Sequence, residues 1–232
     1  MKSIKLGAAI LDENDSYAKK VNDIFTEKGS YVINIMGGPG CGKTTLLSVA
    51  GKRMKKAGTF AIIEGDVATD RDAQKLKNLK VPIALLNTDQ IGNACHLSAK
   101  MILKAFKTFK KKMDFVFVEN IGNLVCPSEF KLGEHLRVAI TSIPEGDDKV
   151  VKYPQMFINA DAVIISKIDM LKHFKYNIKR VLKELRTLNS DSIVFLISST
   201  NGEGINEFIE YLEKKRIKTF KNYRTCPPSR VS

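Results

Sequence analysis

The feature that most constrains this chain is a glycine-rich loop between an apolar run and a helical pattern. The run Tyr31 to Met36 leads into a complete phosphate-binding pattern, Gly37-Gly38-Pro39-Gly40-Cys41-Gly42-Lys43-Thr44. In such a loop, glycines let backbone N–H groups turn inward around phosphates, and the following helix presents its positive N-terminus to them. The full pattern in this context predicts a P-loop nucleoside triphosphatase.

Individual residues of this loop have separate expected roles. Lys43 is expected to reach the β and γ phosphates, and Thr44 is expected to bind Mg²⁺. Thr45, the next residue, completes the predicted nucleotide-binding segment. Cys41 needs no role of its own, because the loop only requires a small residue at that position.

Short apolar runs alternate with segments of helical spacing along most of the chain. Predicted strands cover residues 31–36, 60–63, 83–86, 115–119, 136–141, 162–166 and 193–198. Predicted helices cover residues 13–27, 43–57, 71–79, 96–112, 171–188 and 205–214. This alternation is typical of α/β proteins with a mostly parallel central sheet and helices on both faces. The long segment 142–159 is predicted to be irregular.

Carboxylates follow two of the predicted strands. Glu119 ends an apolar strand and is followed by Gly122, so Glu119 is expected to hold Mg²⁺ and the Gly122 amide to sense the γ-phosphate. Asp66, after the strand 60–63, is the other candidate for contact with Mg²⁺ or the attacking water. The catalytic residues are therefore predicted to be Lys43, Asp66 and Glu119.

Two further acidic residues, Asp70 and Asp72, admit a simpler interpretation. Both lie where the next helix is predicted to begin, and acidic side chains in a first helical turn stabilise the helix dipole. For Asp72 this is the preferred interpretation.

A short polar motif after the strand 162–166 indicates the base that the nucleotide carries. Ser166-Lys167-Ile168-Asp169 is close to the Asn-Lys-x-Asp of guanine-specific P-loop proteins. The Asp169 carboxylate can accept two parallel hydrogen bonds from guanine, and adenine offers no such pair. The stem of Lys167 can lie along the base. Ser198 and Ser199, after the last strand, are expected to contact the base as well.

Two cysteines and a histidine follow neighbouring strands on the same edge. Each of Cys95, His96 and Cys126 taken singly is more often a packing residue than a ligand. Together they form a donor set suited to Ni²⁺ or Zn²⁺ and unsuited to Mg²⁺. Because three ligands leave a closed site incomplete, water or a second subunit of a symmetric dimer is expected to complete it.

Composition limits the remaining possibilities. With 44% hydrophobic and 27% charged residues, the chain is not wholly disordered, and it contains no apolar run long enough to span a bilayer. No secretion signal is recognised near the N-terminus, so a cytoplasmic protein without membrane association is expected. Four widely spaced cysteines do not suggest a disulfide framework.

The motifs taken together resemble the HypB-type nickel-incorporation GTPases of nickel–iron hydrogenase maturation, in the SIMIBI class of P-loop proteins. The resemblance covers residues 31–212 and rests on GGPGCGKTT, EGDVATDRDA, GNACHL, ENIGNLVCP, EGDDK and KYPQMF. Ser166 in place of the usual Asn and the basic C-terminal segment depart from the family pattern. Residues 1–30 hold no Cys or His, so an N-terminal nickel-binding extension is not expected.

The resemblance implies a metallochaperone GTPase that dimerises with GTP. It implies a site for Ni²⁺, or Zn²⁺, at Cys95, His96 and Cys126, and a dimer contact through Lys149. The implied partners are a nickel-delivery companion chaperone and the hydrogenase large-subunit precursor. Slow turnover is expected, because no glutamine or arginine finger is evident, and an unassisted rate above roughly 1 per second would contradict it.

The expected organisation has three parts. Residues 1–30 form an N-terminal helix packed on the GTP-binding domain, residues 31–213 form that domain with its metal site, and residues 214–232 form a basic tail. A urease-type client is an alternative to hydrogenase and shares all of this chemistry.

Net charge raises one alternative of another class. The chain carries 38 Lys and Arg against 25 Asp and Glu, a net charge of +13. A nucleic-acid-associated GTPase would use the tail and the lysines that cluster at positions 100, 104, 107, 110, 111 and 112. We favour solvated helix faces for these lysines, because no recognition motif accompanies them.

Overall fold

The computed structural model describes residues 3–65, 76–86 and 96–225. Its strands are β1 Tyr31–Gly37, β2 Phe60–Glu64, β3 Ile83–Leu85, β4 Phe115–Gly122, β5 Leu136–Ser142, β6 Ala162–Ser166 and β7 Ile193–Ile197. They form one sheet in the order β3-β2-β4-β1-β5-β6-β7, and every pairing between these strands is parallel. All seven predicted strands are confirmed.

Helices connect most of the consecutive strands, as expected for parallel connections, and one more helix lies at each end of the described chain. They are α1 Ser3–Glu27, α2 Lys43–Arg53, α3 Ala99–Phe106, α4 Cys126–Glu129, α5 Lys149–Lys152, α6 Pro154–Ile158, α7 Ile178–Leu188 and α8 Ile205–Thr225. Short 3₁₀ turns cover Met54–Lys56, Ile143–Glu145 and Ile168–His173. Of the predicted helix 71–79, residues 71–75 lie outside the described residues.

Alternate residues of each strand face opposite sides of the sheet. One face is covered by α2 and α8, and its core includes Ile33 of β1 and Phe117 of β4. The other face carries two separate apolar clusters. The first includes Val32 and packs against α1 and α3, and the second includes Val163 and packs against α5, α6 and α7. Helices therefore lie on both faces, as predicted.

Several predictions about the extent of helices were wrong: α1 begins at Ser3 and not at residue 13, and α2 ends at Arg53 and not at residue 57. Side-chain hydrogen bonds explain two further differences. The helix predicted over 96–112 begins at Ala99, because Ser98 accepts a hydrogen bond from the Met101 amide at 3.4 Å. The helix predicted over 171–188 begins at Ile178, where Asn177 accepts from the Arg180 amide at 3.0 Å. The segment 142–159 is not irregular, since it contains α5, α6 and a 3₁₀ turn.

The basic C-terminal segment continues the last helix. α8 runs without a break from Ile205 to Thr225, so the expected boundary between residues 213 and 214 falls inside it. The Arg216 guanidinium pairs with the Asp114 carboxylate and lies over the Phe115 ring. Residues 214–225 are therefore helical, and Arg216 ties them to the sheet. Within the described ranges, no helix is both long and apolar enough to cross a membrane.

Candidate functional site

The phosphate-binding loop lies at the carboxyl end of β1, where α/β sheets bind ligands. Gly40 and Gly42 have φ angles of +77° and +104°, a region that side chains strain to adopt. Gly42 immediately precedes α2, so the loop turns sharply and points the helix N-terminus at its own concavity. This geometry is that of an anion cradle.

The lysine of the loop is buried inside this cradle. Its side chain is 4% exposed, and Lys43 Nζ donates to the carbonyls of Gly37 at 3.3 Å and Gly38 at 3.4 Å. Phosphate oxygens are stronger partners for an ammonium group than carbonyls are. The position of Lys43 fits its predicted role at the phosphates.

Oxygen donors suited to Mg²⁺ meet beside the lysine. Thr44 Oγ1 donates to Glu119 Oε1 at 2.6 Å, and Glu119 is buried in the second half of β4. Hydroxyl and carboxylate oxygens are the ligands that Mg²⁺ prefers, so this pair fits the ion. Glu64 of β2 lies next to Glu119 in the strand register and is also buried. Asp66, the other predicted contact, lies outside the described residues, as do Asp70 and Asp72.

Glu64 is a residue that sequence analysis missed. The sequence signal for Glu64 was its position directly after the apolar run 60–63. Asp66 lies only two residues later, so the sequence pattern does not show which of these two carboxylates lies at the strand end. Only the register, which aligns Glu64 with Glu119, shows which carboxylate lies at the strand end.

The end of β4 touches the phosphate-binding loop directly. Gly122 pairs with Gly37, and a Cβ atom on Gly122 would lie 3.2 Å from Pro39 Cα, so a side chain there would crowd the loop. Gly122 therefore lies against the phosphate-binding loop, and its contact with a γ-phosphate stays a prediction.

The predicted base-recognition motif is joined to the phosphate-binding loop. Ser166 Oγ donates to the Cys41 carbonyl at 2.6 Å, and Lys167 Nζ donates to the Gly40 carbonyl at 2.7 Å. Lys167 has a φ angle of +59°, which turns the chain outward after β6. Ser166 thus has a structural role here, and the role is independent of direct contact with a base.

Asp169 is positioned by the loop after β7. Ser198 Oγ donates to Asp169 Oδ1 at 2.6 Å and accepts from the Thr200 and Asn201 amides at 3.2 and 3.3 Å. Asp169 itself is exposed, which leaves its carboxylate accessible to a ligand. Ser199, the next predicted contact, is half-buried beside it.

The cysteine inside the phosphate-binding loop is inert. Cys41 is fully buried, and this burial raises the pKa of its thiol to about 11. At neutral pH the thiol stays protonated and neither attacks nor binds a metal. Its role is packing, in agreement with the sequence interpretation.

The predicted metal ligands follow β3 and β4, and the expectation that these strands are neighbours was wrong, because β2 lies between them. Two of the three ligands, His96 and Cys126, are nevertheless both associated with the segment 126–130. The imidazole of His96 stacks on the Phe130 ring with centroids 3.6 Å apart and planes inclined by 11°. Cys126 opens α4, which ends one residue before Phe130, and it is partly exposed. Burial lowers the pKa of His96 despite the nearby Glu129 carboxylate, and this favours the neutral form of the imidazole that binds metal ions.

The third predicted ligand, Cys95, lies outside the described residues. Within residues 3–65, 76–86 and 96–225, no three His, Cys, Asp or Glu side chains form a group able to hold a metal ion. The described part of the chain therefore supplies His96 and Cys126 as candidates and leaves the complete ligand set a prediction.

Lys149 begins α5 in a segment that borders the phosphate-binding loop. Its ammonium lies 5.5 Å from the centroid of the Tyr153 ring. In the same segment, the Glu145 carboxylate accepts from Ser142 and also lies beside Gly38, where a Cβ atom would come within 2.8 Å of Glu145 Oε1.

Sequence analysis also missed a set of buried polar residues, which we call the central polar network. Its members lie on one face of β4, β1 and β5 or just before β5, and they are Asn120, Asn34, Glu134 and Arg137. The available signal was that Asn34 interrupts the otherwise apolar run of β1.

The comparisons with known proteins identify the family to which the chain belongs. A family model described as "CobW/HypB/UreG, nucleotide-binding domain" matches residues 31–195. The hydrogenase/urease maturation factor HypB of Helicobacter hepaticus is 41% identical over 227 residues, which cover 96% of this chain and 92% of that protein.

Two solved structures are similar throughout. HypB from Helicobacter pylori, solved in complex with nickel, has a TM-score of 0.83 at 40% identity and covers 90% of this chain and 97% of its own. HypB from Archaeoglobus fulgidus has a TM-score of 0.82 at 31% identity, with 88% and 99% covered. From its sequence motifs, its site geometry and these similarities, the chain belongs to the HypB branch of the CobW/HypB/UreG family of nucleotide-binding proteins.

Proposed function

We propose that this protein is a GTP-hydrolysing metallochaperone that binds nickel, or zinc, and assists nickel insertion into a hydrogenase. The names of its HypB relatives and the nickel complex of the Helicobacter pylori protein support the class of function. The following arguments concern how the residues of this chain would perform it.

The nucleotide end would work by positioning and by charge neutralisation. Lys43 would bind the β and γ phosphates, and Thr44 with Glu119 would hold Mg²⁺, which neutralises phosphate charge when bound. Asp66 would contact the ion or the attacking water. Asp169 would select guanine, held in place by Ser198. Because no glutamine or arginine finger is identified in the sequence, GTP hydrolysis would be slow, as in a nucleotide-dependent switch.

One observation carries the link between nucleotide and metal. The element that runs from β4 to α4 places Glu119, bonded to Thr44, only seven positions before Cys126. A triphosphate that reorders the backbone from Glu119 to Gly122 therefore acts on the segment that presents a candidate metal ligand. Nucleotide switches use this kind of local ordering to control a second site.

The metal ligands Cys95, His96 and Cys126 would be completed across a GTP-dependent homodimer. The surface proposed for this contact is the segment beside the phosphate-binding loop, where Lys149 begins α5 and Val151, two positions later, is 65% exposed. The proposed partners are a nickel-delivery companion chaperone and the hydrogenase large-subunit precursor, in the cytoplasm.

The deciding experiment is a titration of purified protein with Ni²⁺ and Zn²⁺, each in the GDP state and with a non-hydrolysable GTP analogue. The metal affinity or stoichiometry should differ between the GDP state and the GTP-analogue state. This difference should be lost in both Cys95→Ser and Cys126→Ser. Cys41→Ser serves as a matched control, since its buried thiol should leave metal binding unchanged. Absence of metal binding in both states, with GTP binding intact, would contradict the proposal.

The client distinguishes two versions of this function. The Helicobacter hepaticus relative is named for both hydrogenase and urease maturation, so deletion of the gene followed by assays of both enzymes is the direct test. The nucleic-acid alternative has less support, because Arg216 in the basic helix is paired with Asp114 and packed on Phe115.

A further inference from the structure

The central polar network forms a continuous chain of hydrogen bonds across three strands. Asn120 Nδ2 donates to Asn34 Oδ1 at 3.1 Å, and Asn34 Nδ2 donates to Glu134 Oε1 at 3.2 Å. Arg137 Nε donates to the same Glu134 oxygen at 2.6 Å. Asn34 and Asn120 are 0% and 1% exposed, so their amides depend on these partners and not on water.

One end of the network lies at the nucleotide. Asn120 directly follows Glu119, and its Oδ1 accepts from the Ile121 amide at 2.9 Å. The side chain thus holds the backbone between Glu119 and Gly122, and Gly122 is the residue packed against Pro39 of the phosphate-binding loop. A shift of this backbone has to move the Asn120 amide.

The other end holds the segment that carries Cys126. Arg137 Nη1 donates to the Ser128 carbonyl at 3.2 Å and Nη2 donates to the Phe130 carbonyl at 2.8 Å. Ser128 lies in α4, which Cys126 opens, and Phe130 is the residue on which His96 stacks. The position of Arg137 therefore determines where α4 and the His96 stacking partner lie.

The surroundings explain why a polar connection is suited to this task. On this face of the sheet, the network lies on the central strands between the apolar cluster that contains Val118 and the one that contains Ala139. Buried hydrogen bonds and a forked guanidinium require one geometry, so a shift of one member either moves its partner or breaks the bond between them.

We propose that the central polar network transmits the nucleotide state from β4 to α4, with Asn34 as its central positioning residue. A backbone shift at Glu119 to Gly122 moves Asn120, then Asn34 and Glu134, and Arg137 carries the shift to the carbonyls of α4. The effect on metal affinity rests on the proposed function, whereas the movement of α4 does not. The alternative route is the exposed connection from Ile121 to Val125.

Hydrogen exchange on the full chain distinguishes the two routes. GDP is compared with a non-hydrolysable GTP analogue and Mg²⁺ in wild type, Asn34→Ala and Asn189→Ala. Asn189 is the matched control, because its amide donates to the carbonyls of Ile158 at 2.9 Å and Ala160 at 3.0 Å without contacting a member of the network. In wild type and Asn189→Ala, nucleotide exchange should change protection in residues 37–44 and in 126–131. In Asn34→Ala the change should persist in 37–44 and vanish in 126–131.

Nickel titration of the same proteins supplies a second readout. The ratio of Ni²⁺ affinities between the nucleotide states should fall within the usual range for allosteric coupling, about 5- to 150-fold, in wild type and approach one in Asn34→Ala. If Asn34→Ala fails to fold, Arg137→Lys replaces it, because a lysine keeps the positive charge beside Glu134 but cannot donate to both the Ser128 and Phe130 carbonyls as the guanidinium does. In Arg137→Lys, the nucleotide-dependent change in residues 126–131 and the difference in Ni²⁺ affinity should both be lost.

Each contrary result has a defined meaning. A folded, nucleotide-binding Asn34→Ala or Arg137→Lys protein that keeps the wild-type difference in 126–131 overturns the network and favours the exposed connection. A wild type without any difference in 126–131 overturns it as well. A wild type with that difference but equal metal affinities in both states leaves the network standing and contradicts the proposed function.

Discussion

The phosphate-binding loop and the Cys126 segment both follow central strands, yet they are held in place differently. Residues 37–44 and 166–169, here the nucleotide half, are joined by direct bonds such as Ser166 to the Cys41 carbonyl at 2.6 Å. In His96 and residues 126–130, here the metal half, Phe130 stacks on His96, and Arg137, which lies outside this half, donates to the Ser128 and Phe130 carbonyls. The comparison indicates that hydrogen bonds within the nucleotide half join its two segments, whereas the position of the metal half depends on a residue outside it.

The largest expected effect tests whether the nucleotide half can be disabled alone. Lys43→Ala should lower GTP hydrolysis by at least about 10²- to 10³-fold, because a buried cation aimed at the phosphates is lost. Phosphate release measures the rate, and a GTP-analogue titration measures affinity. Lys52→Ala, an exposed lysine of the same helix, is the control. Loss of nucleotide-free nickel binding in Lys43→Ala would show that the two halves are not separable.

The next effect concerns the base. Asp169→Asn should weaken GTP binding by about 10- to 100-fold, because a carboxylate that accepts two hydrogen bonds becomes an amide that accepts one and donates another. The same change should improve binding of xanthosine triphosphate, whose ring offers an acceptor where guanine has an amine. Competition titrations with the two nucleotides measure both. The control is Asp191→Asn, at an exposed carboxylate, which should change the affinity for neither nucleotide. An unaltered GTP affinity in Asp169→Asn would show that Asp169 does not contact the base.

A smaller effect, measured through pH, concerns a partly buried histidine just before β5, outside both halves. Burial lowers the pKa of His135 from 6.5 to about 4, although the Glu134 charge opposes this. The neutral ring accepts from the Val32 amide through Nδ1 at 3.0 Å and lies 3.0 Å from Thr26 Oγ1 through Nε2. Protonation would place a second donor against Val32, so the folded state disfavours it.

The sign of the pH dependence follows from these values. The unfolded imidazole gains its proton near pH 6.5 and the folded one only near pH 4, so stability is lost as the pH falls across this window. By pH 5 the loss should reach about 2 kcal/mol in the free energy of unfolding, measured by urea titration. His135→Asn, which keeps an acceptor for Val32, should lack this component, and the exposed His173→Gln should retain it. An equal acid sensitivity in His135→Asn would contradict the assignment.

The smallest effect tests the stacked contact itself. Phe130→Leu should weaken nickel binding by about 2- to 10-fold, because the ring stacking that orients His96 is worth about 0.5 to 1.5 kcal/mol. GTP-analogue affinity should not change, since Phe130 belongs to the metal half. Phe174→Leu, at a ring that is 40% exposed, is the control. A loss of nucleotide affinity in Phe130→Leu would weaken the distinction between the halves.

Local patterns were sufficient to predict the sheet and the phosphate-binding loop. Apolar runs such as 31–36 are buried on both sides in the structure. The loop 37–44 requires glycines, and these lie within a few residues of one another in the sequence. Both features depend on neighbours within a few residues, so a single sequence contains them. The boundaries of α3 and α7 were less predictable, because the capping bonds of Ser98 and Asn177 compete with helical spacing that extends beyond them.

Features that join distant parts of the chain were not predictable in this way. The choice of Glu64 as the neighbour of Glu119 depends on the register between β2 and β4. The continuation of α8 through residue 225 is accompanied by the pairing of Arg216 with Asp114, about 100 positions earlier in the sequence. No local pattern contains either relation.

The amino-acid sequence by itself determined the class of fold, the nucleotide-binding loop, the guanine-type motif and the candidate metal ligands. Each follows from residue types at short, fixed spacings, where covalent geometry limits what the chain can do. Only the tertiary structure decided that Ser166 braces the phosphate-binding loop and that the central polar network connects β4 to α4. These arrangements depend on which strands become neighbours, and that order is set by burial of the whole sheet, not by any single segment.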